Sequence, residues 1–206
     1  MARKVKKLTV RDNFIILTNG KQSEKNYFEA VRTKFVSLYK ITVKFLNRDP
    51  EGLVNYAVEI KNDSNCVWCV FDKDEFPADS IKNAIYIARQ NEIGIAISNA
   101  AFEVWLINHL RLFGDEKNQK ELLDVLDKEL KQVGYVKGYE KNDLKVINEV
   151  FLNYIDEACN NSDIVYQRKV SECKGCHYIP DDRICEWNSC TTVHKLIEAL
   201  QISGKE

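Results

Sequence analysis

The chain has 206 residues, 45% of them apolar, which is enough to bury one good core and predicts a single domain with at most a small appendage. Its 30 Lys and Arg against 31 Asp and Glu leave a formal net charge of -1, which excludes a globally basic nucleic-acid binder and confines any such contact to a local patch. No run of about 18 apolar residues occurs and no apolar signal stretch follows MARKVKKLTVRD, so a soluble, cytosolic protein without a membrane span is expected.

In chain order, residues 14–18 (FIILT) form a β-branched apolar run that stops at Asn19-Gly20, the pattern of a buried strand ending in a turn. From Ser23, the positions Tyr27, Phe28, Val31, Phe35 and Leu38 recur at helical spacing and predict an amphipathic helix packed on the sheet. Residues 41–46 alternate like an edge or half-buried strand, and residues 53–60 are helical in spacing. Residues 67–71 (VWCVF) are continuously apolar and run into Asp72-Lys73-Asp74-Glu75, as expected of a central parallel strand whose carboxyl end opens onto a site. A helix at 80–90 and a strand at 93–97 (IGIAI) complete the next unit, and helices are expected at 101–112, 118–133, 143–158 and 192–200. The prediction is an α/β fold, doubly wound, with a mostly parallel sheet and additional C-terminal helices.

Ligands of doubly wound folds bind at the carboxyl ends of the strands, which here are residues 18–24, 72–75 and 98–103. Asp72 and Asp74 project to the same side of an extended segment, and hard ions such as Mg²⁺ or Mn²⁺ take oxygen ligands of this kind, with Glu24 and Glu103 available to complete a two-metal clamp. Against this, an Asp-x-Asp after a strand also suits a solvated loop or helix cap, and Glu24 and Glu103 fall in first helical turns, where the macrodipole favours any carboxylate. Lys21, Lys25, Lys73 and Arg111 flank these junctions and are the candidate phosphate-binding residues, or else ordinary solvated cations.

The segments TNGKQSEKNYF, VWCVFDKDE, SNAAFEVWLINH and NSCTTVHKLIEAL follow the order and spacing of RloB-like proteins, and the chain resembles that family over most of its length. The family is similar to the second component of the abortive-infection system AbiL, and the resemblance implies a TOPRIM-like fold, a metal-dependent nuclease of DNA or RNA acting in phage defence, and an AAA/ABC-type ATPase encoded nearby as partner. By the same resemblance, Asp72 and Asp74 match the TOPRIM metal ligands, Glu24 matches the second acid of a Glu-Gly-x-x-x-Glu segment, and Glu103, Trp105 and His109 match an SNPxFExWxxxH segment. Asn19 stands where the first acid of the opening segment is expected; it can offer a carbonyl oxygen to a metal but cannot act as a base. A catalytically degenerate module that binds nucleotide or nucleic acid and docks to the ATPase is therefore the alternative. At Ala100 the family generally has Pro, and Ser98 or Asn99 is expected to cap the following helix.

His109 is read as a buried, hydrogen-bonded histidine and His194 as a surface or phosphate-facing one. Cys173-Lys-Gly-Cys176 with Cys185 and Cys190 has spacing within reach of a structural Zn²⁺, with His177 and His194 as spare ligands; the rival reading is four idle thiols. Cys66, Cys69 and Cys159 are expected to be core packing residues. These readings divide the chain into a TOPRIM-like domain over residues 1–165 and a Cys-containing appendage with a last helix over 166–206, packed on the same domain.

Overall fold

The computed structural model describes residues 13–35, 40–73, 76–173 and 180–202. The predicted positions Leu38, Asp74, Cys176 and His177 lie outside them.

Four parallel strands form the body of the sheet: β1 (Asn13–Thr18), β2 (Lys40–Phe45), β3 (Asn65–Asp72) and β4 (Gly94–Asn99). A two-residue fifth strand, β5 (Cys190–Thr191), pairs antiparallel with Ser98 and Asn99 of β4, giving the order β2-β1-β3-β4-β5. The crossovers are α1 (Ser23–Phe35), α2 (Pro50–Ile60) and α3 (Ala78–Gln90). They are followed by α4 (Glu103–Asn108), α5 (Gln119–Gln132), α6 (Leu144–Glu149), α7 (Ile155–Glu172) and α8 (Val193–Ile202).

Side chains of successive strand residues point to opposite faces, and the two buried clusters divide accordingly. Phe14, Ile16, Val70 and Ala96 face α1 and the C-terminal helices, whereas Leu17, Val67, Cys69, Phe71 and Ile97 face α2 and α3. With helices on both faces, β3 must be apolar at nearly every position, which is why VWCVF shows no alternation. β2, at the edge, alternates as expected, with Ile41 and Val43 buried and Lys40 and Lys44 exposed.

Local chemistry sets the helix starts. Asp49 caps α2 by accepting from the Gly52 amide at 2.9 Å, with Pro50 at the first helical position. Asn118 and Glu121 form a reciprocal capping box on α5.

Four expectations need correction. Residues 143–158 are not one helix: α6 ends at Glu149, a 3-10 turn covers Phe151–Tyr154, and α7 then runs to Glu172. The helix expected at 101–112 is only Glu103–Asn108, because Asn108 turns its side chain back on its own end, donating to the Val104 and Phe113 carbonyls and accepting from the Phe113 amide. Neither Ser98 nor Asn99 caps that helix; the Ser98 hydroxyl meets Thr191 and the Asn99 amide donates to the Ile184 carbonyl, so both fasten the C-terminal segment to β4. His194 is buried rather than on the surface, because α8 is wedged against both α7 and β4, with the Tyr166 ring 5.9 Å from the imidazole. No helix among the described residues is long and apolar enough to cross a membrane.

Candidate functional site

The carboxyl ends of β1, β3 and β4 lie side by side, and their register brings three sequence-distant segments to one place. β1 pairs through Thr18 with Val70, the Asn19 amide extends that ladder to the Val70 carbonyl at 3.3 Å, and the Lys73 amide reaches the Ser98 carbonyl at 2.9 Å. The chain turns immediately after β1 because the Thr18 hydroxyl donates to the Gly20 carbonyl at 3.1 Å. Three residues later α1 begins, with Ser23 and Glu24 both buried in its first turn.

Around this point lies a cleft of ≈ 350 Å³, whose wall includes Asn19, Lys21, Glu24, Asp72, Glu103 and Lys141. Three of the four predicted acids therefore meet in one cavity, and Asp74 lies outside the described residues. The Glu24 carboxylate lies directly over Gly20, where any side chain on residue 20 would occupy the same space. This is a close approach that only glycine permits.

Burial sets the electrostatics. Asp72 Oδ1 and Glu103 Oε1 are both sealed from solvent with no hydrogen-bond donor among the described residues, although Glu103 Oε1 has the Lys141 ammonium at 3.4 Å. Desolvation pushes the Asp72 carboxyl well above the usual carboxylate range, and the charges of Glu24 and Glu103 push it further, while the Phe102 amide and Lys141 oppose the shift. Burial likewise raises the Tyr139 phenol, with the Glu103, Glu24 and Asp72 carboxylates adding to it and its hydrogen bond to Ser23 opposing.

Tyr139 and Lys141 escape a reading confined to strand ends, because they lie on the loop between α5 and α6. That loop closes over the site by its own anchors: the Tyr139 hydroxyl donates to Ser23 Oγ at 3.1 Å, and its amide donates to Asp127 Oδ1 at 3.2 Å. Gly138 turns the chain there with φ +84°, a conformation other residues rarely adopt.

Of the predicted phosphate contacts, Lys21 lines the cleft. Lys25 and Lys73 are half-buried and form no part of its wall. Arg111 is also absent from the wall and is engaged elsewhere: its Nε lies 3.1 Å from Glu129, and its guanidinium lies 4.9 Å from the centre of the Phe113 ring. His109 is a packing residue, as read. Its Nδ1 lies 2.9 Å from the Trp105 carbonyl and its Nε2 3.0 Å from the Tyr27 hydroxyl, so Nδ1 donates and Nε2 accepts. Burial lowers its pKa to about 3 and keeps the ring neutral.

Cys69 and Cys159 are buried in the core as expected, and Cys66 is half-buried beside it. In the C-terminal segment, Cys185 and Cys190 are buried and Cys173 accepts from Arg183 at 3.3 Å. Among the described residues no three His, Cys, Asp or Glu side chains stand in ready-made metal-coordinating geometry. The cleft nevertheless fits a hard divalent cation in its chemistry, since its donors are carboxylate oxygens and two of them are sealed from water with no hydrogen bond.

No curated protein matches the chain. A family model described as RloB-like protein matches residues 14–200, a span that includes every strand of the sheet except the first residue of β1, together with all three acids of the cleft. The chain belongs to the RloB-like protein family.

Proposed function

We propose that this protein is a TOPRIM-like nuclease that hydrolyses phosphodiester bonds of DNA or RNA with Mg²⁺ or Mn²⁺, acting as a phage-defence effector in the cytoplasm beside an ATPase partner. The observation that carries this reading is the meeting of Glu24 and Glu103, both buried, with the half-buried Asp72, whose Oδ1 is sealed from solvent and whose charge the other two repel, at the carboxyl ends of parallel strands. Gathering three carboxylates against a single, partly exposed ammonium, Lys141, leaves most of their charge uncompensated, which is costly, and a divalent cation would compensate it.

Asp72, Glu24 and Glu103 would hold the metal, with Asp74 two residues beyond Asp72 in sequence. When bound, the ion would lower the pKa of an attacking water and neutralise charge developing on the phosphate. Lys21, in the wall of the same cleft, supplies a positive charge for the phosphodiester backbone. Asn19 can offer its carbonyl oxygen to a cation or its amide to a phosphate oxygen, but takes no proton. Glu24 and Glu103 are therefore the groups in the cleft wall, besides Asp72, able to accept one.

Asn19 in the cleft wall also favours a second reading, a degenerate module that binds nucleotide or nucleic acid and docks to the ATPase without cutting. Incubating purified protein with plasmid DNA, single-stranded DNA and total RNA in Mg²⁺ or Mn²⁺, beside Asp72→Ala and Asp74→Ala, separates the two. Metal-dependent cleavage lost in both variants is the expected result. Binding without cleavage, even with the ATPase added, selects the module.

A further inference from the structure

Lys141 occupies an unusual position for a loop lysine. Its ammonium lies 3.4 Å from Glu103 Oε1, an oxygen otherwise sealed and without a hydrogen bond, while its own side chain remains 41% exposed. Its charge also reaches Asp72, and no neighbouring helix turn or strand pairing dictates that placement.

The loop that carries Lys141 is fixed on both sides. Two residues before it, Tyr139 is tied to Ser23 at the start of α1 and to Asp127 on α5. Two residues after it, Asp143 caps α6 by accepting from the Lys145 amide at 2.9 Å and takes the Tyr135 hydroxyl at 2.6 Å. None of these anchors uses the acidic side chains of the cleft, so the loop presents Lys141 to the site whether or not a cation is there.

We propose that Lys141 is a built-in counter-cation, which holds the Glu24, Asp72 and Glu103 cluster together in the metal-free protein and competes with the divalent ion for it. This rests on the metal-centre reading above and deepens it. A single ammonium is a monovalent substitute: it sits on Glu103 and leaves Asp72 Oδ1 without a donor. A divalent ion accepts several oxygens at once and outcompetes it. The half-exposed stem gives the ammonium a route out of the cleft when the ion enters. The consequence is a site that stays folded when empty and binds metal less tightly than its carboxylates alone would.

The test is the affinity of the full chain, stripped with EDTA, for Mn²⁺, read from the electron paramagnetic resonance signal of the free ion. Lys141→Met and Lys141→Gln are compared with wild type and with Lys141→Arg, each checked by thermal melting. Both neutral variants are expected to bind Mn²⁺ about two- to fivefold tighter than wild type, the scale of one partly exposed ion pair, and Lys141→Arg to bind it as wild type does. Tighter binding is a readout that a merely structural role cannot give, since loosening the loop would weaken the site. Unchanged or weaker binding in both neutral variants, with wild type binding, overturns the inference and leaves the metal centre standing. No Mn²⁺ binding by any of the four proteins overturns both.

Discussion

The Tyr27 hydroxyl donates to Nε2 of His109 at 3.0 Å, tying α1 to the end of α4 across 82 residues of sequence. The imidazole is enclosed by the rings of Tyr27, Trp105 and Phe151, with centroids 5.5, 4.9 and 5.2 Å away. A protonated ring could no longer accept from Tyr27, and its charge would sit among aromatic and aliphatic side chains.

Stability should therefore fall in mild acid. His109 titrates at about 3 when folded and near 6.5 when unfolded, so between these values the unfolded chain binds the extra proton and stability rises with pH. The contribution is fully present above pH 6.5 and is lost progressively as pH falls towards 3. Urea denaturation should give a loss of about 2 kcal/mol from this one group between pH 7 and pH 5. His109→Gln should be less stable at pH 7 but show a slope flatter by that amount; an unchanged slope would mean the ring is not held neutral.

Much of this architecture is legible in the sequence because the relevant signals are local. VWCVF reads as central because both of its faces are covered, and the meeting of Glu24 and Glu103 in one cleft is foreshadowed because each follows the end of a parallel strand. Tyr139 and Lys141 do not, since they reach the cleft from a helix-to-helix loop and owe their place to Ser23 and Asp127, both distant in sequence. β5 is also hidden: two residues carry no periodicity, and Cys190 and Thr191 are a strand only because Asn99 and Ser98 pair with them. His194 misleads because TTVHK reads as polar, whereas the buried set Val193, His194, Leu196, Ile197 and Leu200 spans a wide helical face.

Neutralising Asp72 should separate stability from activity. In metal-free protein its carboxylate is repelled by Glu24 and Glu103, and an Asn amide could instead donate to either. Because the folded pKa is raised, the folded state binds the extra proton above about pH 4, and stability is lost as pH rises towards that raised value. Asp72→Asn abolishes this loss, so in EDTA its advantage over wild type should grow as the pH rises. Cleavage in Mn²⁺ should be lost in the same variant. A variant less stable than wild type at pH 8 would contradict the like-charge account.

Gly94 is fixed by packing and provides a test of the fold alone. It is paired in register with Trp68, and a Cβ at residue 94 would fall on the six-membered ring of that indole. The sheet cannot widen locally, so the ring must leave its position against the core. Gly94→Ala should cost about 1–3 kcal/mol, measured as a lower denaturation midpoint, with Mn²⁺ affinity unchanged. A neutral substitution would show that Trp68 has a second place to go.

Gly20 should show the opposite behaviour. A methyl group there meets the Glu24 carboxylate, the far end of a flexible side chain, and no backbone atom is among its three nearest neighbours. The fold can accommodate Gly20→Ala by swinging Glu24 aside, so the change in stability should be under about 1 kcal/mol. The swing removes one carboxylate from the cleft, however, and a hard cation that loses an anionic ligand loses much of its affinity. Titration with Mn²⁺ should show binding weakened by about tenfold or more, at about 1.4 kcal/mol per tenfold, in a protein whose melting curve is close to that of wild type. Equal weakening in Glu24→Gln, and no further loss in the double variant, would show that both substitutions act through the same oxygen atoms. Undiminished Mn²⁺ binding in Gly20→Ala would remove Glu24 from the ligand set and leave Asp72 and Glu103 to hold the ion with whatever Asp74 adds.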